Sequence, residues 1–202
     1  MAKASLSLKI SLCAMASLIL FGLIFPTTFK NLFSHPEVHL YAKFFHVLSV
    51  TTVFANALIG TLWETRGLLS RKAPVIRYTY QTVTWLDSVL TAPLILIAVV
   101  SGVLMATNLG GVWTIGWLSV AFVTFLFSGL IWVVLDIPTQ YRVNRLFKGL
   151  DEKKDVLPSQ VMGLLWFRLG VNIFSLFPLI AIFVLMIFKP ELKPIGEWFR
   201  LH

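Results

Sequence analysis

Charge is scarce in this sequence. Only 13% of its 202 residues are Asp, Glu, Lys or Arg, while 57% are hydrophobic and 14% aromatic. A soluble domain of this length carries more charge, because water has to wet its surface. Cysteine is scarcer still. The single thiol, Cys13, excludes an intrachain disulfide and any CxxC motif, and inside an apolar run its default role is a buried, inert one. Also missing are a phosphate-cradling glycine loop, zinc-ligand spacing, a nucleophile set beside a base, and paired carboxylates at depth. Those absences exclude the enzyme classes that need such groups and leave other catalysis undecided.

What the sequence has instead is long apolar runs. They cover Ile10 to Phe25, Phe44 to Trp63, about Val89 to Ala106, Val112 to Leu135, and about Leu169 to Phe188. At about 1.5 Å rise per residue, roughly 20 residues cross the ~30 Å hydrocarbon layer, so each run is long enough to span with modest tilt or slight thinning. Helices satisfy their own backbone in lipid, and the runs lack the strict alternation of barrel strands. The expectation is an all-α, polytopic membrane bundle. Residues 1–39 form an N-terminal transmembrane helix and outer loop, 40–190 a four-helix membrane core, and 191–202 a short tail. The first run follows Lys3 and Lys9 as a signal peptide would, but "PTTFKNLF" after it offers no small-x-small cleavage site, so an uncleaved helix is expected.

The net charge of +8 would suggest nucleic acid in a soluble protein. Here the basic residues collect in short loops, as the positive-inside rule requires, and no nucleic acid is expected. With the N-terminus inside, Lys3, Lys9, Arg66, Arg71, Lys72, Arg77, Arg142, Arg145, Lys148, Lys153 and Lys154 lie in the cytoplasm. Lys30, Lys189, Lys193 and Arg200 lie outside, and Lys43 and Arg168 at helix edges. The bias predicts a cytoplasmic N-terminus and a periplasmic C-terminus. Trp63, Trp85, Trp113, Trp117 and Trp198 fall near span ends, where indoles sit at the interface. In the long inner loop, Arg142, Arg145 and Lys148 recur at helical spacing beside Val143, Leu146 and Leu150. That pattern suits either a short helix lying on an anionic leaflet or a solvated loop.

Polar residues inside the runs fall on stripes with three- and four-residue steps. One stripe holds His46, Ser49, Val53, Asn56, Gly60 and Glu64; another holds Asp87, Thr91, Leu94, Ala98, Ser101 and Gly102. Arg168, Asn172 and Ser175 line up in the last run, and Thr124, Ser128, Trp132 and Asp136 in the fourth. Such stripes face other helices, so Asn56, Asp87, Arg168 and Asn172 are expected in the interior. Glu64, Asp87 and Arg168 lie at the inner edge of hydrocarbon, where long side chains snorkel. Together with Asp136 they are expected to form a cytoplasmic ring of pairs, Asp87 with Arg168 or Arg142, in a structural role rather than a proton relay. His46 is the titrating residue at depth, about one turn below the outer surface. It is either a neutral imidazole hydrogen-bonded to a neighbouring helix or a metal ligand. His35 and His39 lie in the outer loop and His202 is terminal, so a haem on His46 would keep an open position or take Lys43 or Met105.

"FHVLSVTTVFANALIG" resembles the first core helix of HemJ-type protoporphyrinogen oxidases, with Val50, Thr52, Phe54 and Ala55 in a V-x-T-x-F-A pattern after the histidine. CopD-type membrane domains begin similarly. That resemblance implies haem b, porphyrinogen oxidation, and His46 as axial ligand. "WLDSVLTAPLILIAVVSGVLMA", "WVVLDIPTQYRVNRL" and "LMIFKP" resemble a bacterial integral-membrane family of unknown function, over about Leu40 to Pro190. Two readings therefore stand. One is a non-enzymatic inner-membrane protein, alone, self-associated or an accessory subunit of a membrane complex. The other is a haem-b redox protein using His46. A third reading is a proton or small-solute pathway along Asn56, Asp87 and Arg168.

Overall fold

The computed structural model describes residues 6–33, 35–149 and 157–198. These form seven helices: α1 (Leu6–Ile24), α2 (Pro26–Leu32), α3 (Pro36–Leu69), α4 (Ala73–Asn108), α5 (Gly116–Lys148), α6 (Ser159–Phe188) and α7 (Ile195–Trp198). Among the described residues there is no strand. Helices α3 to α6 are each long and apolar enough to cross a membrane, and the fold is the expected all-α membrane architecture. The 19 residues of α1 take most of the first apolar run. Lys3, Leu150, Lys153, Lys154, Arg200 and His202, to which the sequence reading assigns places, lie outside the described residues. Cys13 is exposed on α1, not buried.

Helices α4 and α5 run furthest past their oily stretches, and amphipathic periodicity explains both. Helix α4 starts at Ala73 because Ala73, Ile76, Tyr80 and Val83 recur every three or four residues and bury one face. Helix α5 continues to Lys148 because Thr139, Val143 and Phe147, four apart, do the same. The basic segment expected as either a short surface helix or a solvated loop is therefore the end of α5, with Arg142, Arg145 and Lys148 exposed. Proline sits in the first turn of α4, where its missing N–H costs nothing. After α4 the chain reverses through Gly110 and Gly111 at φ +96° and +111°, a conformation that a side chain would resist.

Both long central helices contain one π-helical turn, Asp87–Thr91 in α4 and Trp132–Asp136 in α5. Each ends two residues before a proline, Pro93 or Pro138. A proline inside a helix donates no N–H, and its ring clashes with the carbonyl four residues back. Widening the preceding turn relieves that clash. The N–H of Ala92 reaches the Asp87 carbonyl, and that of Ile137 reaches the Trp132 carbonyl, each five residues back.

The chain divides into two compact units. The first comprises Met1–Thr51, Pro93–Val120 and Lys189–His202; the second comprises Thr52–Ala92 and Ala121–Phe188. In the first, the Phe21 and Phe29 rings meet across the join of α1 and α2 at 6.0 Å, with Phe25 5.6 Å from Phe21 and Phe33 4.9 Å from Phe29. Its C-terminal segment hooks over the start of α5. Lys189 Nζ lies 5.6 Å from the Trp117 ring centre, and the Ile195 N–H donates to Ser119 Oγ at 3.2 Å. The second unit packs Leu68, Ile76, Tyr80, Val143, Phe147, Leu165 and Leu169 into one core. Several of its hydroxyls bond back to their own helix, as Thr61 does to the Ala57 carbonyl at 2.8 Å and Ser175 to the Val171 carbonyl at 2.9 Å.

Candidate functional site

Four helices of the second unit converge on one guanidinium. Arg168 of α6 is 1% exposed and pairs with a carboxylate from each of the other three. Its Nε donates to Asp136 Oδ1 of α5 at 3.2 Å. Its Nη2 lies 3.3 Å from Glu64 Oε1 of α3 and 3.9 Å from Asp87 Oδ2 of α4. Tyr80 of α4 closes the other face, its ring centre 5.2 Å from Arg168 Cζ and its hydroxyl donating to the Leu165 carbonyl at 3.2 Å. An aromatic face under a desolvated guanidinium adds attraction and excludes water.

Neutral amides hold the carboxylates in place. Gln140 Nε2 lies within donating distance of both Asp87 Oδ2, at 2.9 Å, and Asp136 Oδ2, at 2.8 Å, linking α4 to α5. Asn172 Nδ2 donates to Glu64 Oε2 at 2.6 Å. Asn56 Nδ2 donates to Thr91 Oγ1 at 2.8 Å and lies 3.5 Å from Asp87 Oδ1. The two π turns carry the aspartates: Asp87 opens one and Asp136 closes the other. A turn with an extra residue rotates the remainder of its helix, and such turns recur at functional sites.

Asn56, Asp87, Arg168 and Asn172, all expected in the interior, are thus parts of one network. Its details differ from the sequence reading. Glu64 and Arg168 do not snorkel to the membrane edge; they are 0% and 1% exposed, because opposite charges on neighbouring helices draw them inward. The tighter partners of Arg168 are Asp136 and Glu64, with Asp87 at longer range, and Arg142 is exposed. Gln140 and Tyr80 join the site without a charge or a place in an apolar run to mark them in the sequence. One signal for the π turns was available: V-L-x-x-P occurs twice, from Val89 to Pro93 and from Val134 to Pro138.

His46 belongs to the first unit. Its Nδ1 lies 2.8 Å from the Ala98 carbonyl. A carbonyl only accepts, so Nδ1 carries the proton and Nε2 keeps its lone pair. Ser101 Oγ stands 3.4 Å from Nδ1 and gives its hydroxyl to the Ile97 carbonyl at 2.5 Å. Gly102 lets the ring lie against α4, since a Cβ there would sit 3.0 Å from His46 Cε1. Gly102→Val is expected to push the imidazole off the Ala98 carbonyl and to cost about 1–3 kcal/mol. Thermal unfolding in detergent checks this, and an unchanged melting temperature would contradict the packing. Lys43 is exposed and Met105 half-buried. Among the described residues no three His, Cys, Asp or Glu side chains are grouped to hold a metal ion.

The large apolar residues on the surface, such as Leu40, Phe44, Phe127, Phe177 and Phe188, are those a membrane-embedded protein turns to lipid. No curated protein and no solved structure matches the chain. A family model described as "Predicted integral membrane protein (DUF2269)" matches residues 40–190, which hold most of α3, all of α4 and α5, α6, the network on Arg168 and His46. The chain belongs to that family of integral membrane proteins.

Proposed function

We propose that this chain is a non-enzymatic multi-pass protein of the bacterial inner membrane, acting as an accessory subunit of a membrane complex. Its N-terminus is cytoplasmic and its C-terminus periplasmic, with 40–190 the working core and α1 an added crossing. One observation carries the reading: the polar side chains of the second unit are turned on one another around Arg168, as in a lock between helices, not displayed toward a substrate. The excess of Lys and Arg in the inner loops supports the orientation. Support for a protein partner comes from α6, where Gly163 and Gly170 are exposed and a Cβ at either would meet nothing within 4 Å. Beside Gly170 is an apolar groove of about 310 Å³ lined by Ile131, Leu135, Phe167, Val171 and Phe174. Small residues on an exposed face let a second helix approach closely in lipid.

Purification of the tagged chain in mild detergent tests this. A stoichiometric transmembrane partner, lost when Gly170→Leu fills the groove, is the expected result. A complex of twice the chain's mass would mean self-association instead, and a lone chain unaffected by Gly170→Leu would reject the partner.

A second reading rests on His46. The bond from Nδ1–H to the Ala98 carbonyl is the arrangement that fixes a metal-ligating histidine, with Nε2 free to bind. That bond supports His46 as one axial ligand of a haem b, the role that the resemblance of its helix to HemJ-type oxidases and CopD-type domains implies. A haem there would supply one-electron redox chemistry. A Soret band in the purified protein, absent from a folded His46→Ala variant, would favour this reading; a colourless folded protein would reject it.

A further inference from the structure

We propose that one end of the second unit is a docking surface for anionic phospholipids, its exposed cations holding their phosphodiester groups. The core of Leu68, Ala73, Ile76, Val143, Phe147 and Val161 draws together the end of α3, the start of α4, the end of α5 and the start of α6. The basic residues of those segments therefore share one end of the bundle. Arg66, Arg71, Lys72, Arg142, Arg145 and Lys148 are all exposed there. Arg77 Cζ lies 5.7 Å from the centre of the Phe147 ring, a further tie between α4 and α5 at this end.

No acid answers this charge among the described residues. Glu64, Asp87 and Asp136 are the described acids of the second unit, and all three turn inward to Arg168. Asp151, Glu152 and Asp155 lie outside the described residues, and Lys153 and Lys154 stand among them in the sequence, so that segment does not balance the rim. Clustered cations repel one another and gather anions from their surroundings. A guanidinium offers a phosphate two parallel N–H bonds, which a point charge does not.

A second observation favours lipid over a soluble acidic partner. Large apolar side chains are exposed between the cations: Leu69 and Val75 near Arg71 and Lys72, Tyr78 at 72%, and Tyr141 at 67% with Leu146 on α5. Such a mixture suits the boundary between headgroups and acyl chains, where each kind of side chain finds its own solvent. Depth agrees. Arg66 follows the exposed Trp63 within one helical turn, and Arg142 stands about 10 Å along α5 from Leu135, which ends the exposed apolar run of Val133, Val134 and Leu135. The headgroup layer is roughly 5–7 Å thick on each side of the hydrocarbon, and long basic side chains lean along the helix to reach it. Binding is by charge and hydrogen bonds alone. The inference goes beyond the subunit reading and holds whether or not a partner exists.

Native mass spectrometry of the purified full chain in neutral detergent, titrated with phosphatidylglycerol or phosphatidylcholine, gives the test. Phosphatidylglycerol is expected to bind about tenfold more tightly or better, and Arg142→Gln with Arg145→Gln to weaken it about fivefold for each cation removed. Lys30→Gln with Lys43→Gln takes the same charge from the first unit and should leave both lipids bound as before. Equal affinity for the two lipids, or equal losses in the two double variants, would overturn the proposal. The comparison of lipids uses the unaltered chain, so it decides even if a variant fails to fold. Detergent presents lipid to both ends of the chain, so the result does not depend on which way the protein is inserted. Two further probes, polyglutamate and inorganic phosphate, separate the other occupants. Polyglutamate bound without any preference for phosphatidylglycerol would assign the surface to an acidic protein, and inorganic phosphate bound as tightly as the lipid would assign it to the free ion; either would overturn the proposal.

Discussion

Arg168→Leu is expected to destabilise the fold severely, and Glu64→Gln to leave it nearly intact. Both substitutions remove one charge from the same network, yet the charge count makes them opposites. Without the guanidinium, three carboxylates from three helices face each other with no cation among them. Breaking a buried ionic group from one side costs about 3–5 kcal/mol, because the partners stay buried and unpaired. That is a large share of the ~5–15 kcal/mol by which a domain is stable. Glu64→Gln instead takes away one negative charge where negative charge is in excess. Its amide still has Asn172 to bond, and the cost should stay within about 1 kcal/mol. Thermal unfolding of the two variants in detergent compares them directly. Equal losses would show that the network is held by shape and not by charge.

The second large effect is expected at Tyr80. This side chain is 0% exposed, lies under the Arg168 guanidinium, and donates to the Leu165 carbonyl. Tyr80→Ala leaves a void beneath a buried cation, and losses on truncating a buried aromatic run to about 3–5 kcal/mol. Tyr80→Phe keeps the ring and loses one hydrogen bond, worth about 1 kcal/mol. The same melting experiment separates them. If Tyr80→Phe were as damaging as Tyr80→Ala, the hydroxyl and not the ring would be the element that matters.

These residues also show how far the sequence could be read. Helical period is local, so His46, Ser49, Asn56, Gly60 and Glu64 could be placed on one face of α3 from spacing alone. Membrane crossing could be read because it needs little more than length and oiliness. Partner choice could not. That Arg168 engages Asp136 and Glu64 more closely than Asp87 depends on how α4 and α5 are rotated, and rotation depends on the π turns before Pro93 and Pro138. Hydropathy missed the long extensions of α4 and α5 because it measures affinity for lipid, whereas those extensions are buried on one face by protein. Tyr80 lies on such an extension, and Gln140 has no charge to mark it as a bridge between two aspartates. Burial of Glu64 and Arg168 likewise reflects attraction between helices, which a single helix's sequence does not contain.

Above all, the guanidinium of Arg168 is the counter-charge that lets three acidic helices pack. Adding Glu64→Gln, Asp87→Asn and Asp136→Asn to Arg168→Leu, and comparing the melting temperature with that of Arg168→Leu alone, tests this most directly. A buried ionic group replaced as a whole is often tolerated where a half-broken one is not. The neutralised quadruple variant is expected to regain most of the lost stability; a quadruple variant no more stable than Arg168→Leu would contradict the role given to the guanidinium.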